Sequence, residues 1–325
     1  MKLWRSVSVV VLASVILAGF EVKKRAVDDG PLSDSVVVNI AKGASVQQSA
    51  EILHEQGVID SPLLLRLVLK YQGNEGKLKA GEYLFEPHIS MMNVIAKLVR
   101  GDVVYHKITI PEGYTVGQVL YLLNNDEALS GEFEVIPEEG AFLPETYIFQ
   151  RNESRDVIVQ KAAASMQKKL QEVWDNRAEN LPYKDMGELL VMASIIEKET
   201  GVDEERAKVS SVFVNRLRQG MRLQTDPTVI YALTEGKSEL GRALTRKDLE
   251  IDSPYNTYKY AGLPPTPICN PGAASLYAAA HPDSTDYLYF VASGNGGHNF
   301  AKSLKEHNQN VTNWKNNRQK ALDEK

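Results

Sequence analysis

The chain has 325 residues, 43% of them hydrophobic, and a formal net charge of -5, which is enough length for two or three domains with a substantial core. The negative charge, without any basic cluster that contains aromatic residues, argues against a nucleic-acid-binding protein. Cys269 is the one cysteine in the sequence, so an internal disulfide is excluded and the redox compartment stays open.

An uncharged apolar run extends over residues 6–20. As a helix it would cover about 22 Å, somewhat less than the roughly 30 Å hydrocarbon core of a bilayer. A signal peptide would need small residues at its cleavage site, where this chain has Ile16 and Leu17. We therefore predict an uncleaved transmembrane anchor over residues 1–22 and a polar linker over residues 23–35. Basic residues on both sides of the run leave its orientation open.

Residues 36–103 show a strand, two helices and a second strand. Val36–Ile40 and Leu78–Phe85 are predicted as strands, with helices from Ser45 to Gln56 and from Pro62 to Tyr71. A further helix begins at Met91. This βααβ order looks like a LysM-type fold, which binds glycan chains in cell walls. Such a unit can also serve only as a spacer.

The same local pattern occurs twice, at a spacing of 70 residues, in Val38–Val46 and Ile108–Val116. Both segments run from a strand through a glycine turn to Ser45 or Thr115, which are typical first residues of a helix. We predict two similar strand–turn–helix units, and chance similarity is the alternative.

The helix predicted over Met186–Thr200 is apolar on every side, which is typical of a helix buried in a larger core. Glu197 directly follows two isoleucines in this helix. Lost hydration there favours the protonated carboxyl, which can donate a proton to a leaving group. The structural alternative is a helix-end carboxylate paired with Lys198 or Arg206. Glu199 lies roughly 200 degrees further around the helix, so the two carboxyls are not expected to face one pocket.

Three polar residues, Gln224, Thr225 and Asp226, precede a proline at the start of another helix. They are candidate hydrogen-bond partners for a polar substrate, and the alternative is that Asp226 only caps the helix.

A loop rich in proline and tyrosine follows over Ser253–Pro271. Tyr255, Asn256 and Tyr258 combine flat apolar faces with hydrogen-bonding groups, a mixture that suits a sugar. A conformationally restricted surface loop is the competing interpretation.

Near the C-terminus, a glycine-rich turn leads to His298 and Phe300. A single histidine is usually structural, but a turn that places it beside an aromatic residue at a strand end favours a functional position. The histidines show no metal-binding spacing, and phosphate-binding and dinucleotide-binding glycine motifs are absent, so no metal or cofactor is predicted.

Five segments in this order resemble the endolytic murein transglycosylase family, also called YceG-like. The resemblance covers most of the chain from Val36 and is densest between Leu189 and Val311. The segments are ASIIEKET, FVNRLRQGMRLQTDPTVIYAL, SPYNTYKYAGLPPTPICNPG, AAAHPDSTDYLYFVASGNGGHNF and EHNQNV. The chain departs from the family pattern at Asn299, where a threonine is usual, and we assign that position no role.

The resemblance implies an α+β protein of the inner membrane, with one N-terminal span, a LysM-like subdomain and a periplasmic catalytic domain over residues 104–325. It implies a polysaccharide lyase that cuts within nascent peptidoglycan strands, near peptidoglycan synthases such as penicillin-binding proteins. It places Glu197 at the family's essential glutamate. The glycan would be held by Gln224, Thr225, Asp226, Tyr255, Asn256, Tyr258, His298 and Phe300.

In the expected reaction, Glu197 protonates the oxygen between MurNAc and GlcNAc and then accepts the proton of the MurNAc 6-hydroxyl, which attacks the anomeric carbon. We therefore expect Glu197→Gln to abolish 1,6-anhydro products. Two alternatives stay open. A hydrolytic muramidase would need a second carboxylate about 5–10 Å away, such as Asp226 or Glu199. A wall-binding or synthase scaffold would cleave nothing.

Overall fold

The computed structural model describes residues 17, 19–294 and 296–323. The chain divides into two compact units. Unit 1 runs to His106 and also includes Ile148–Glu153, and unit 2 comprises Lys107–Tyr147 and the chain from Ser154 onward. Both units contain helices and strands, which confirms the predicted α+β class.

Most of the predicted membrane anchor, residues 1–22, lies outside the described residues. Within the part of the chain that the structure describes, no helix combines the length and the apolar character needed to cross a membrane.

The segment predicted as a linker, residues 23–35, is packed onto unit 1 instead. It is helical up to residue 27, and Ala26 and Leu32 are buried in the core of this unit. The His88 N–H donates to the Leu32 carbonyl at 2.8 Å. The linker prediction weighed the polar composition of the segment and did not consider these two isolated apolar residues, which reach the core.

Two strands and three helices follow the N-terminal helical segment in the described part of unit 1. The strands pair antiparallel, from Val36 opposite Phe85 to Ile40 opposite Gly81. The elements are β1 (Val36–Ile40), α1 (Val46–Glu55), α2 (Pro62–Gln72), β2 (Gly81–Phe85) and α3 (Met91–Arg100).

The two faces of this sheet differ in burial, as alternation along a strand requires. Val38, Tyr83 and Phe85 are buried in one core with residues of α1, α2 and α3. Val37 and Leu84, which are paired across the strands, are exposed on the opposite face. The helices therefore cover one side of the sheet only.

The repeated strand–turn–helix pattern is present at both positions. It comprises β1 and α1 in the first copy, and β3 (Tyr105–Thr109) and α4 (Val116–Asn124) in the second. Ser45 and Thr115 each form a capping box with the glutamine three residues later. Each box satisfies backbone N–H groups at the helix start.

The remaining elements lie in unit 2, except that β5 and β6 fall partly in Ile148–Glu153, which belongs to unit 1. They are β4 (Leu129–Ser130), β5 (Thr146–Gln150), β6 (Glu153–Ser154), α5 (Arg155–Asp175), α6 (Met186–Glu199), α7 (Arg206–Arg218), α8 (Asp226–Thr234), α9 (Ala273–Ala280), β7 (Tyr289–Ala292), β8 (His298–Ala301) and α10 (Leu304–Asp323). β3 pairs with β5, and β4 pairs with β6.

Helix α6 is the centre of unit 2, as its apolar sequence predicts. It packs against α5, α7, α8 and α9, and its residues from Val191 to Ile196 are buried. The Asp185 side chain caps its first turn. Apart from Glu188 in the first turn, the charged side chains of α6 lie in its last turn, which therefore sets the position of both candidate acids.

Candidate active site

The last turn of α6 directs its two carboxyls to different surroundings. Glu197 is half-buried, and its Oε2 accepts the Gly272 N–H at 2.9 Å. Glu112 lies nearby, because a Cβ added at Gly272 would clash with it. Burial, and then the charge of Glu197, raise the pKa of Glu112.

Glu199 lines a cavity of about 570 Å³. The strand β7 and the residues just before α8 supply much of its wall. The lining residues are Glu199, Arg216, Leu223, Gln224, Asp226, Tyr258, Tyr289, Phe290, Val291, Ala292, His298, Leu304 and His307. Four of the predicted substrate-binding residues are in this set, and Glu197 is not.

The pKa of the Glu199 carboxyl is unusually high. Burial raises the pKa of Glu199 to about 7, and the hydrogen bond that Thr225 Oγ1 donates to its Oε1 opposes this shift. Asp226 raises the pKa further, whereas His298 and Arg216 lower it. A carboxyl with this pKa is partly protonated at neutral pH and can act as a general acid.

Thr225 is fixed by the loop that carries Tyr258. Its N–H donates to Thr257 Oγ1 at 3.1 Å, and the Gln224 N–H donates to the Thr257 carbonyl at 3.2 Å. Gln224 has a φ of 53° and is exposed, so its side chain reaches the cavity at a turn of the backbone.

Asp226 does not cap α8. It is the first residue of that helix, and its carboxylate accepts the Tyr258 hydroxyl at 2.6 Å. Burial and the neighbouring carboxylates Asp226 and Glu199 raise the pKa of Tyr258, so the phenol stays protonated and keeps donating. A second acidic group and a tyrosine therefore stand together at the cavity.

Arg216 supplies a buried positive charge that the sequence did not single out. Its Nε donates to the Leu288 carbonyl at 2.7 Å, and its Nη1 donates to the Leu223 carbonyl at 2.8 Å. The guanidinium lies 5.1 Å from the centre of the Tyr289 ring. In the sequence, Arg216 lies on α7 about two helical turns from any polar motif, so nothing there distinguishes it from an ordinary surface arginine.

His298 is oriented by Glu205, which precedes α7. The Glu205 carboxylate accepts the His298 N–H at 2.9 Å and lies 2.7 Å from its Nδ1. Burial would raise the pKa of Glu205, but these bonds outweigh it and hold the pKa below its usual value. An ionised Glu205 fixes a hydrogen on Nδ1 and leaves Nε2 for other contacts.

Replacing Glu205 by glutamine should loosen His298 and lower the turnover of the enzyme by about tenfold, because small displacements of an active-site group are costly. Steady-state cleavage of purified glycan strands measures this effect. Glu204→Gln, one exposed position earlier, is the control and should retain activity. Equal activity of both variants would show that Glu205 does not contribute to the active site.

His307 is a further residue that the sequence analysis did not select. Its ring stacks on Tyr289 with centroids 5.2 Å apart, and it lines the same cavity. Burial, and then Arg216, lower its pKa. Its Nδ1 is buried and has no hydrogen-bond partner among the described residues.

Asn256 was predicted to bind substrate, and in the structure its side chain is engaged by the backbone instead. It is fully buried, and its Nδ2 donates to the carbonyls of Leu249 and Ile251 at 2.9 and 2.8 Å. Its Oδ1 accepts the Tyr258 N–H at 3.0 Å. These bonds tie the loop to the two residues that precede it, so Asn256 holds Tyr258 in place.

Tyr255 and Phe300 also lie outside the cavity lining. The Tyr255 hydroxyl pairs with Thr266 Oγ1 at 2.6 Å, and its ring packs 4.9 Å from that of Tyr231. Phe300 lies opposite Phe290 in the antiparallel pair of β7 and β8 and packs against its ring. Aromatic composition alone does not separate a packed ring from a ring that lines a cleft, so substrate binding by Tyr255 and Phe300 stays a prediction.

We expect Asn256→Ala to lower the free energy of unfolding by about 1–3 kcal/mol, because two part-buried carbonyls and an N–H lose their partner. The KM of the molecules that fold should rise only modestly, because Asn256 acts on the cavity only through the position of Tyr258. Chemical denaturation and steady-state kinetics test both statements, with Tyr260→Phe on the exposed side of the loop as control. A raised KM at unchanged stability would return Asn256 to the binding site.

The sequence was compared with protein families and with proteins of known name or structure. Residues 38–313 match the YceG-like family. The endolytic murein transglycosylase of Bacillus subtilis (strain 168) is 36% identical over 306 residues, which cover 85% of this chain and 83% of that protein. The protein of the same name from Streptococcus pneumoniae serotype 2 is 29% identical, over 85% of this chain and 58% of its own.

A solved structure gives the same assignment. The crystal structure of a yceG-like protein from Listeria monocytogenes is similar with a TM-score of 0.53 and 34% identity, covering 85% of this chain and 99% of that one. The chain belongs to the YceG-like family.

Proposed function

We propose that the protein is a lytic transglycosylase that cuts peptidoglycan strands internally at the bond between MurNAc and GlcNAc. The relatives named endolytic murein transglycosylase support this activity. The observation that carries it is Glu199, a carboxyl with a pKa of about 7 at the wall of a cavity of about 570 Å³. Tyrosine rings and polar groups around it suit a sugar.

The proposed acid is therefore Glu199 and not Glu197. Glu199 donates its proton to the glycosidic oxygen as the bond to the MurNAc anomeric carbon breaks. The resulting carboxylate takes the proton of the MurNAc 6-hydroxyl, whose oxygen bonds to the same carbon. The products are a GlcNAc hydroxyl end and a 1,6-anhydro-MurNAc end, no water is consumed, and Glu199 is again protonated.

The surrounding groups have distinct parts in this proposal. Tyr258 and Tyr289 present aromatic rings to the sugar faces, and Gln224 and His298 offer hydrogen bonds. Asp226 supplies a negative charge that stabilises the oxocarbenium-like centre of the transition state. Arg216 keeps the Glu199 pKa from rising further, since its charge favours the carboxylate.

The carboxylate of Asp226 makes a hydrolytic muramidase the second candidate function. Asp226 is close enough to Glu199 to raise its pKa, and a second acid could instead activate water. The two reactions leave different ends, 1,6-anhydro-MurNAc for the transglycosylase and reducing MurNAc for the hydrolase.

Mass spectrometry of glycan strands digested by the purified protein tests the proposal. Internal fragments with anhydro ends would support the proposal. Fragments with reducing ends would instead indicate a muramidase, and intact strands would indicate a binding protein without activity. Digestion in water enriched in the heavy oxygen isotope is the matching control, because only hydrolysis incorporates that oxygen into the product.

The proposal also includes the location. Residues 1–22 would anchor the chain in the cell membrane, with the folded body on the wall side near peptidoglycan synthases. The βααβ order of unit 1 supports a LysM-like fold for it. Membrane fractionation and protease treatment of spheroplasts test this placement separately from activity.

A further inference from the structure

Helix α2 is apolar on two opposite sides, although only one side faces a core. Leu64, Leu65, Val68 and Leu69 are buried in unit 1. On the other side, Leu63, Leu67 and Tyr71 are 64%, 48% and 93% exposed. These three residues are spaced four apart, so they form one stripe along the helix. We call Leu63, Leu67 and Tyr71 the α2 stripe.

The α2 stripe continues onto the N-terminal helical segment of the same unit. A cavity of about 690 Å³ is lined by residues of both, including Val22, Val27, Leu67 and Tyr71. Phe20 and Leu17 are also exposed, at 68% and 69%. The result is a continuous apolar surface, which is rare on a soluble domain without a partner.

Basic residues border this surface. Arg66 and Lys70 are exposed on α2, one position before Leu67 and Tyr71, so they flank the stripe on one side. Lys23 and Lys24 are exposed on the N-terminal segment. An apolar stripe with flanking cations and an interfacial tyrosine is typical of helices that lie in the headgroup region of a bilayer.

The course of the chain indicates that this surface faces the membrane. Residues 17–20 end the uncharged apolar run of residues 6–20, and the helical segment up to residue 27 connects it to the α2 stripe. If residues 1–22 form the proposed anchor, only a few helical turns of the chain separate the membrane from the α2 stripe.

A second copy of the chain fits the surface less well. A symmetric interface would use the same surface on both copies and so bring two sets of basic residues, Arg66, Lys70 and Lys23, into one interface, where like charges repel. Anionic phospholipids offer the opposite charge.

We propose that unit 1 lies on the membrane through the α2 stripe, with Leu63, Leu67 and Tyr71 inserted among anionic phospholipid headgroups. The unit is then an interfacial membrane-binding element in addition to the anchor. This inference rests on the anchor only for bringing the unit to the bilayer, and it is independent of the proposed catalysis.

Fluorescence quenching in vesicles tests the contact in the full chain. The native thiol of Cys269 is fully buried, so a dye attached to Leu67→Cys labels one site. In vesicles of phosphatidylethanolamine and phosphatidylglycerol, lipids with a nitroxide near the headgroup end of the acyl chain should quench this dye about twofold or more, since interfacial helices insert roughly 5–10 Å. Leu84→Cys, an exposed leucine on the open sheet face of the same unit, is the matched control and should not be quenched.

A second variant tests the stripe itself. Leu63→Glu with Tyr71→Glu, added to Leu67→Cys, should abolish the quenching while circular dichroism shows a folded chain, because both positions are exposed. Equal quenching at positions 67 and 84, or none at position 67 in protein that sediments with vesicles, overturns the proposal. Disulfide-linked dimers of Leu67→Cys in place of quenching overturn it in favour of a self-interface. Protein that fails to sediment at all refutes both the anchor and the contact between the stripe and the bilayer.

Discussion

Glu199→Gln should lower the rate of peptidoglycan cleavage by about 10²–10⁴-fold, the usual contribution of a general acid. The amide keeps the shape of the side chain and can still accept the Thr225 hydroxyl, but it has no proton to donate to the glycosidic oxygen. The rate is measured from the appearance of 1,6-anhydro-MurNAc ends. In the wild type, cleavage should also decline as the pH rises above about 7, because Glu199 then loses its proton.

Glu197→Gln is the matched control, since it makes the same change two residues earlier on the same helix. Its side chain accepts the Gly272 N–H outside the cavity lining, so we expect activity within a few-fold of the wild type. Loss of cleavage in Glu197→Gln with retention in Glu199→Gln would restore the assignment that the family resemblance implied and refute the site described above.

The same Glu199→Gln substitution should stabilise the protein at alkaline pH. In the folded state the pKa of Glu199 is raised from 4.5 to about 7, so folding favours the protonated form. A shift of this size corresponds to about 3 kcal/mol. The wild type therefore has this stability below about pH 4.5 and loses it as the pH rises through about 7. The glutamine variant has no such loss.

Urea denaturation at pH 4.5 and at pH 8 measures the difference between variant and wild type. We expect a difference near zero at the lower pH and an advantage of about 3 kcal/mol for Glu199→Gln at the higher pH. Because each comparison is made at one pH, the titration of other groups cancels. A difference that is the same at both values would show that the Glu199 carboxyl is not held in its protonated form.

Much of the fold could be predicted because its signals are local. The apolar sequence of α6 indicated its burial, and Ser45 and Thr115 marked the starts of α1 and α4. The periodicity of a helix also separated Glu197 from Glu199. It could not indicate which of them faces the site, because that depends on Thr225, which meets α6 only in the folded chain.

The candidate site shows the same limit. Gln224, Asp226 and Tyr258 were predicted from polar and aromatic composition near prolines, and they do line one cavity. Asn256 lies in an equally polar and aromatic segment, but its side chain points inward and donates to the backbone carbonyls of Leu249 and Ile251. Arg216 was missed because its role comes from backbone carbonyls outside α7, at Leu223 and Leu288, which only the folded chain brings around it. Side-chain direction, and not residue type, separates these cases.

The hydrogen bond between Thr225 and Glu199 makes the two oxygens of the acid inequivalent. Oε1 is engaged by the threonine hydroxyl, so the transferable hydrogen resides on Oε2. The acid can therefore approach a glycosidic oxygen from one side only. A sugar chain has a chemical direction, with distinct reducing and non-reducing ends, so only one polarity of the strand presents its leaving oxygen to that side. The enzyme should accordingly read each strand in a single orientation.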